Sequence, residues 1–312
     1  MHAVGVTEFG GPEALHVVEL SEPHAGPGEV RIRVRGAAVN PTDTFVRNGA
    51  RANQQATVPP PYVPGMDAAG VLDERGEGVT TDLIIGDHVM AIVLPAGSRG
   101  AYAELIVVPA ESVARVPTGV SDAEASTLPM NGLTARQALD LLGLEPGQTL
   151  AVTGAAGAVG GYVVQLAKSE GIRVIADASL EDEQLVAELG ADIVVARGDD
   201  IAARIRAKAP DGVDALVDCA VQGELILPAV KDGGRVAAVR PFTGDTERDI
   251  AVHQVWVRNY AREQTKLEEL GRLVEQGKIT LRVARRFPAD RAAEAHRILE
   301  AGGTRGRLVL EF

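Results

Sequence analysis

The chain has 312 residues, of which 46% are hydrophobic and 24% charged, a size and composition that suit two globular domains. Its formal net charge of −12 disfavours nucleic acids and anionic membranes as partners, since both need a basic surface. The single cysteine, Cys219, excludes an internal disulfide and a Cys-rich zinc site.

Residues 1–119 read as β. The runs at 29–35 (EVRIRVR) and 105–108 alternate or are β-branched, and Gly/Pro clusters at 23–28 and 59–64 punctuate them. Residues 48–58 lack periodicity and are expected to form a loop. The character changes at Ser121, which with Glu124 spells a capping box and starts a helix. Strands are then expected at 149–152, 173–176, 193–196, 215–218 and 235–239. Helices are expected at 159–168, 181–189, 201–208, 224–230 and 262–275. This alternation predicts an α/β fold with a parallel, doubly wound sheet. Residues 279–312 return to mixed structure, with a helix near 289–299 and a strand at 308–311. The run 249–257 (DIAVHQVWV) places Ile250, Val252, Gln254 and Trp256 on one face. It reads either as an exposed edge that pairs between two subunits or as an internal strand under a helix. No apolar run approaches the ~20 residues of a membrane span. The start MHAVGVTEFGG lacks a secretory signal, so a cytosolic location is expected.

The most informative segment is QTLAVTGAAGAVGG at 148–161. A short apolar strand runs into Gly154-Ala-Ala-Gly157-Ala-Val-Gly160, which opens an apolar helix. Glycines permit a tight turn and a close backbone approach, and a helix N-terminus offers free N–H donors and a positive dipole end. This is the chemistry of a dinucleotide pyrophosphate site. The candidate ligands are Gly154, Ala155, Ala156, Gly157, Ala158, Val159 and Gly160, with Ala155 filling the first glycine slot of the usual pattern.

Further motifs lie in a characteristic order: Val39-Asn-Pro-Thr-Asp43, Val63-Pro-Gly-Met-Asp67-Ala-Ala-Gly70-Val71, Leu128-Pro-Met-Asn-Gly-Leu-Thr-Ala135, the glycine turn, and Asp214-Ala-Leu-Val-Asp-Cys219. Asp232-Gly-Gly-Arg-Val236, Ala295-His-Arg-Ile-Leu299 and Gly306-Arg-Leu-Val309 follow. Across nearly its whole length the chain resembles the zinc-independent quinone oxidoreductases of the medium-chain dehydrogenase/reductase superfamily. The resemblance implies a GroES-like catalytic domain from residues 1–120 and 263–312, with a Rossmann cofactor domain at 121–262 between them. It also implies a cofactor in the cleft; a homodimer is expected from the edge-like pattern of 249–257. Zinc-dependent relatives place a Cys near Asn40 and a His after Gly65; here Asn40-Pro41 and Gly65-Met66-Asp67 offer neither, so no metal is expected.

Without a metal the expected chemistry is hydride transfer to a quinone or an α,β-unsaturated carbonyl. Asn40 is expected to donate to a substrate carbonyl or to hold the nicotinamide ribose; the alternative is a cap on the turn before Pro41. Arg51 falls where many relatives carry Tyr. It is too basic to act as a general acid and would serve as a cation for an anionic or phenolate-like acceptor, or lie solvated in a loop. The resemblance puts Asn131, with Thr134, near the nicotinamide amide, and Asn131 also reads as the N-cap of a helix at 132–142.

Cofactor choice turns on the end of the second strand. Asp177 invites an NAD reading, but the family's selecting slot is Ala178, which leaves room for a 2′-phosphate, and Ser179 beside it would donate to that phosphate or form a capping box with Asp182. Glu183 replaces the family's usual Lys, whereas Arg197 supplies a guanidinium that would meet the phosphate or would pair with Asp199 or Asp200. NADPH is therefore expected over NADH. The alternatives are an enoyl-thioester reductase and a non-catalytic NADPH-binding protein of the lens-crystallin kind.

Overall fold

The computed structural model describes residues 1–55 and 58–312, with backbone alone at 54 and 55. In chain order the front half contains β1 (His2–Gly5), β2 (His16–Glu19), β3 (Glu29–Val39), α1 (Pro41–Arg47), α2 (Ala52–Gln55) and β4 (Asp67–Arg75). There follow β5 (His88–Ile92), β6 (Leu105–Pro109), β7 (Val113–Arg115), α3 (Asp122–Ala125) and α4 (Pro129–Leu142). The middle alternates: β8 (Thr149–Thr153), α5 (Ala158–Ser169), β9 (Arg173–Ala178), α6 (Glu183–Glu188), β10 (Ile193–Ala196), α7 (Ile201–Arg206), β11 (Val213–Asp218), β12 (Val230–Ala238) and β13 (Ala251–Gln254). The end contributes α8 (Gln264–Glu275), β14 (Val283–Pro288), α9 (Ala292–Ala301) and β15 (Arg307–Glu311).

The chain divides into two compact units. One comprises Met1–Met130, Ala261–Glu275 and Leu281–Phe312; the other comprises Asn131–Tyr260 and Gln276–Thr280. The first unit is β-rich. Its large sheet runs β14-β15-β3-β4-β5-β7, with β6 also on β3, and every pair is antiparallel except β14 with β15. Alternation in EVRIRVR puts Val30, Ile32 and Val34 inward, where they pack with Leu72, Val89, Tyr102, Phe287 and Leu310. The expected capping box forms: Ser121 Oγ accepts from Glu124 N–H, and the Glu124 carboxylate accepts from Ser121 N–H at 3.0 Å. The helix it starts is only Asp122–Ala125 and packs on β3 and β4. Its residues therefore belong to the β-rich unit, and the passage to the second unit falls at 130/131 rather than at 120/121.

The second unit is a parallel sheet of order β10-β9-β8-β11-β12-β13. Counted within the unit this is 3-2-1-4-5-6, the doubly wound Rossmann order. Its central strands are buried along almost their whole length, as β8 and β9 show, because helices cover both faces of such sheets. Ile175, Val195, Ile201, Leu216, Val230 and Val236 form part of the core. The order reverses between β8 and β11, and in sheets of this kind ligands bind outside the carboxyl ends of the strands at such a reversal.

Three expectations differ from the structure. Residues 48–58 include the short helix α2, with residues 56 and 57 outside the described residues. The helix expected at 224–230 is a run of 3-10 turns, Gly223–Ala229, containing Pro228, which removes a helical donor. The strand expected within 249–257 is shorter, Ala251–Gln254, and is the edge of the parallel sheet. Among the described residues no helix is long and apolar enough to cross a membrane.

Candidate cofactor site and the Asn40 pocket

The glycine turn connects β8 to α5 at the point where the strand order reverses. Gly154 has φ +67, a left-handed conformation that favours glycine. Its carbonyl accepts from Gly157 N–H at 3.0 Å. A Cβ on Gly160 would stand 2.3 Å from that same oxygen and one on Gly157 3.1 Å from it, so Gly160 is what lets the helix sit against the turn. Ala155 is fully buried, whereas Ala156, Gly157, Ala158 and Val159 are half-buried. The first amides of α5 have no carbonyl within the helix to bond and lie at its positive end. A backbone cradle that a side chain would fill, followed by a helix N-terminus, fits a dinucleotide pyrophosphate.

Two buried carboxylates back this turn. Asp177 Oδ1 accepts from Ala155 N–H at 3.1 Å. Asp218 accepts from Thr153 Oγ1 at 2.7 Å and from Gly223 N–H at 3.0 Å. Burial pushes the Asp177 carboxyl up and Asp218 adds to this, while the Ala155 and Gly154 amides and Arg197 pull it down.

At the end of β9, Ala178 is 2% exposed. Ser179 Oγ donates to Asp182 Oδ2 at 2.5 Å, so its proton is engaged within its own turn. Glu183 opens α6 and is exposed. Arg197 N–H donates to the Ala178 carbonyl at 2.9 Å, which fixes Arg197 beside the selecting slot at the end of β10. Asp200, a suggested partner for Arg197, pairs instead with Arg204 at 2.8 Å, and Arg197 is exposed.

Asn131 is fully buried and Thr134 is 8% exposed; three residues apart on α4, they share a face. The helix begins at Pro129, so Asn131 lies inside its first turn and is not the expected N-cap. Proline at a first helical position explains the earlier start.

In the β-rich unit Asn40 is fully buried and is the N-cap residue of α1, forming a capping box with Asp43. Asn40 Nδ2 donates to Asp67 Oδ2 at 2.6 Å and to the Ala38 carbonyl at 3.4 Å. Both of these acceptors lie within the β-rich unit. Asp67 Oδ1 also accepts from Met130 N–H at 2.6 Å.

Asp43 Oδ2 accepts from Asn40 N–H at 2.8 Å and from the Tyr102 hydroxyl at 2.9 Å. Tyr102 Oη lies 3.2 Å from His296 Nε2, and His296 Nδ1 lies 3.2 Å from Arg47 Nη1. Arg47 also pairs with Glu300 at 2.5 Å. Arginine can only donate, so His296 Nδ1 accepts, Nε2 carries the proton, and the chain of donors runs from Arg47 through His296 and Tyr102 to Asp43. Burial, with Arg47 beside it, pushes His296 down to about 3, which keeps the ring neutral. Burial likewise pushes Asp43 up to about 6 and Asp67 up to about 7. Nothing in the local sequence joins these residues; only the sheet brings them together.

Arg51 is half-buried, with its guanidinium carbon 5.5 Å from the centre of the Phe45 ring. For zinc, the residues do not fit: the Asn40 amide is spent on Asp67 and Ala38, and Met66 offers only a thioether. Among the described residues no group of three or more His, Cys, Asp or Glu side chains is placed to hold a metal ion.

Two family models match, an alcohol dehydrogenase GroES-like domain over residues 26–118 and a zinc-binding dehydrogenase domain over residues 189–310. A quinone oxidoreductase of Pseudomonas aeruginosa is 30% identical, with 97% of both chains covered. A 2-methylene-furan-3-one reductase of Solanum lycopersicum is 32% identical, covering 99% of this chain and 79% of the relative. Among solved structures, an NAD-dependent alcohol dehydrogenase has a TM-score of 0.88 at 31% identity over the whole of both chains. A mycobacterial protein complexed with NADPH has a TM-score of 0.86 at 30% identity, again over the whole of both.

With the GroES-like and Rossmann units, the glycine turn defines a medium-chain dehydrogenase/reductase. The chain belongs to the quinone oxidoreductase family of that superfamily and is an oxidoreductase.

Proposed function

We propose that this oxidoreductase uses NADPH to reduce small quinones or α,β-unsaturated carbonyls without a metal in the step. The observation that carries the reading is the braced glycine turn at the reversal point of the parallel sheet, with half-buried Ala156–Val159 beside the α5 N-terminus. The names of the quinone oxidoreductase and furanone reductase relatives support the acceptor class. The cofactor, when bound, supplies the hydride.

The residues assigned to hold it are Gly154 to Gly160 for the pyrophosphate, and Asn131 and Thr134 for the nicotinamide end. For the 2′-phosphate, Ala178 leaves room and Arg197 provides charge. Because Ser179 is spent on Asp182, the preference for NADPH rests on Arg197. Arg197→Ala should weaken NADPH by ~1.5–3 kcal/mol, the usual worth of a charge-assisted bond, and leave NADH unchanged. Calorimetry with both cofactors checks this; equal losses would remove Arg197 from the phosphate.

Asn40 enters this reading as a brace for its loop, held by Asp67 and Asp43. Arg51 is assigned to the acceptor side, as a cation for anionic or phenolate-like substrates. A homodimer through the 249–257 segment is also proposed, because β13 is a sheet edge and Trp256 is 47% exposed. Val255 N–H already bonds the Ala238 carbonyl, so by strand alternation the Val252 N–H faces the open edge. Val252→Pro should give a monomer by light scattering if two edges pair, and a retained dimer would place the interface elsewhere. The function itself is tested by a screen of small quinones and enones with NADPH and NADH, with and without exhaustive chelation. Chelator-resistant turnover with NADPH is expected; a required stoichiometric metal would overturn the mechanism.

A further inference from the structure

We propose that Asp177 is the positioning residue of the phosphate turn, holding the Gly154–Ala155 peptide in the one orientation that leaves the turn open to an anion. This rests on the reading of the glycine turn as a dinucleotide site. An acid at the end of the second strand of such a sheet ordinarily binds the adenosine ribose and selects NAD. The hydrogen bonds here give Asp177 other work.

A peptide unit is planar and carries its C=O and N–H on opposite sides. The unit between Gly154 and Ala155 is held at both ends. Its carbonyl accepts from Gly157 N–H at 3.0 Å, and its N–H donates to Asp177 Oδ1 at 3.1 Å. Gly154 has φ +67, and glycine adopts either sign of φ readily, so the covalent chain alone does little to fix this plane. Rotating it would turn the carbonyl dipole toward the face that half-buried Ala156 to Val159 present and would repel a phosphate. The clamp opposes that rotation.

Burial supports the same assignment. Asp177 is 4% exposed and Ala155 is fully buried, so this bond lies inside the unit while the following residues reach its surface. The two clamped residues lie 22 positions apart. β8 and β9 pair directly, Val152 opposite Ala176, which brings the end of β9 beside the start of the turn. On the other flank Thr153 is held by Asp218 at 2.7 Å, so the turn is tied to both neighbouring strands. Asp177 acts through Ala155 and touches no cofactor atom in this account.

The test separates a bond from a charge. Asn keeps an acceptor oxygen for Ala155 N–H but loses the carboxylate; Ala loses both. Binding of NADPH, NADH, ADP-ribose and adenosine 2′-monophosphate is measured by calorimetry for the wild-type chain, Asp177→Asn and Asp177→Ala. Circular dichroism checks that each variant folds. Asp177→Ala should weaken the three pyrophosphate-containing ligands alike, by about tenfold for one lost hydrogen bond. It should leave adenosine 2′-monophosphate, which has no pyrophosphate, unchanged. Asp177→Asn should bind all four within about threefold of wild type and keep the NADPH-to-NADH ratio.

A shifted ratio in Asp177→Asn would put Asp177 on the ribose and overturn the proposal. A folded Asp177→Ala chain with undiminished affinity for the dinucleotides would do the same. If Asp177→Ala does not fold, Asp177→Asn decides alone: retained affinity and ratio support the clamp, and a shifted ratio removes it. Failure of the wild-type chain to bind either dinucleotide would overturn the cofactor reading itself, and this proposal with it.

Discussion

Each unit of this protein hides a pair of aspartates, Asp177 with Asp218 in the parallel-sheet unit and Asp43 with Asp67 in the β-rich one, none more than 4% exposed. The first pair accepts from the backbone and side chains of loops whose next residues reach the surface. The second accepts from Asn40, Tyr102 and Met130, which are themselves 6% exposed or less. Similar desolvated carboxylates thus have different partners: one pair braces the backbone of a glycine turn, and the other joins a buried side-chain network. A buried acid is therefore weak evidence for catalysis until its partners are known.

The sharpest way to break this contrast is at the turn. Gly157→Val brings a Cβ to 3.1 Å from the Gly154 carbonyl and covers the amides beyond it. NADPH binding should be abolished by calorimetry while circular dichroism stays native. Unchanged affinity in a folded variant would misplace the site.

The closed network should answer in stability instead. Tyr102→Phe removes a donor to Asp43 and the partner of the His296 Nε2–H. Leaving buried polar groups unpaired should cost about 1–3 kcal/mol in urea unfolding, with NADPH affinity kept. A loss of affinity without a loss of stability would show that this network reaches the cofactor.

A smaller, pH-graded effect is expected at Asp67. Its folded pKa, about 7, lies above the usual carboxylate value of 3.8, so the folded state holds the extra proton between those limits. Its contribution therefore favours folding at the acid end of that window and is lost as pH rises through it, remaining lost above about 7. Asp67→Asn cannot titrate. Relative to wild type the variant should gain stability as pH rises from about 4 to about 7, at no more than ~1.4 kcal/mol per pH unit. A difference that does not change with pH would mean that Asp67 is ionised throughout.

The sequence revealed these regions unequally, for a physical reason. The glycine turn is one continuous stretch in which strand, glycines and helix follow in order, so residues 148–161 alone make it legible. The Asp177–Ala155 bond is half legible: the sequence shows an acid after β9, but the direction of its bond depends on the pairing of β9 with β8. The Asn40 network joins residues as far apart as Asn40 and His296, and only the sheet register of β3, β4 and β15 brings them near. Strand β14 went unread because Arg285 and Arg286 interrupt its apolar pattern on an exposed edge. The domain passage was misplaced because a capping box marks the start of a helix but not the body it packs against.

Label transfer tests the central claim, hydride delivery from a nicotinamide cofactor whose pyrophosphate sits at the glycine turn, most directly. NADPH deuterated at the transferring face of C4 is incubated with the protein and a simple enone, and the product is read by mass spectrometry. One deuterium on the β-carbon of the reduced product, absent with Gly157→Val, is the result this account predicts. Reduced product that carries no cofactor deuterium would contradict it.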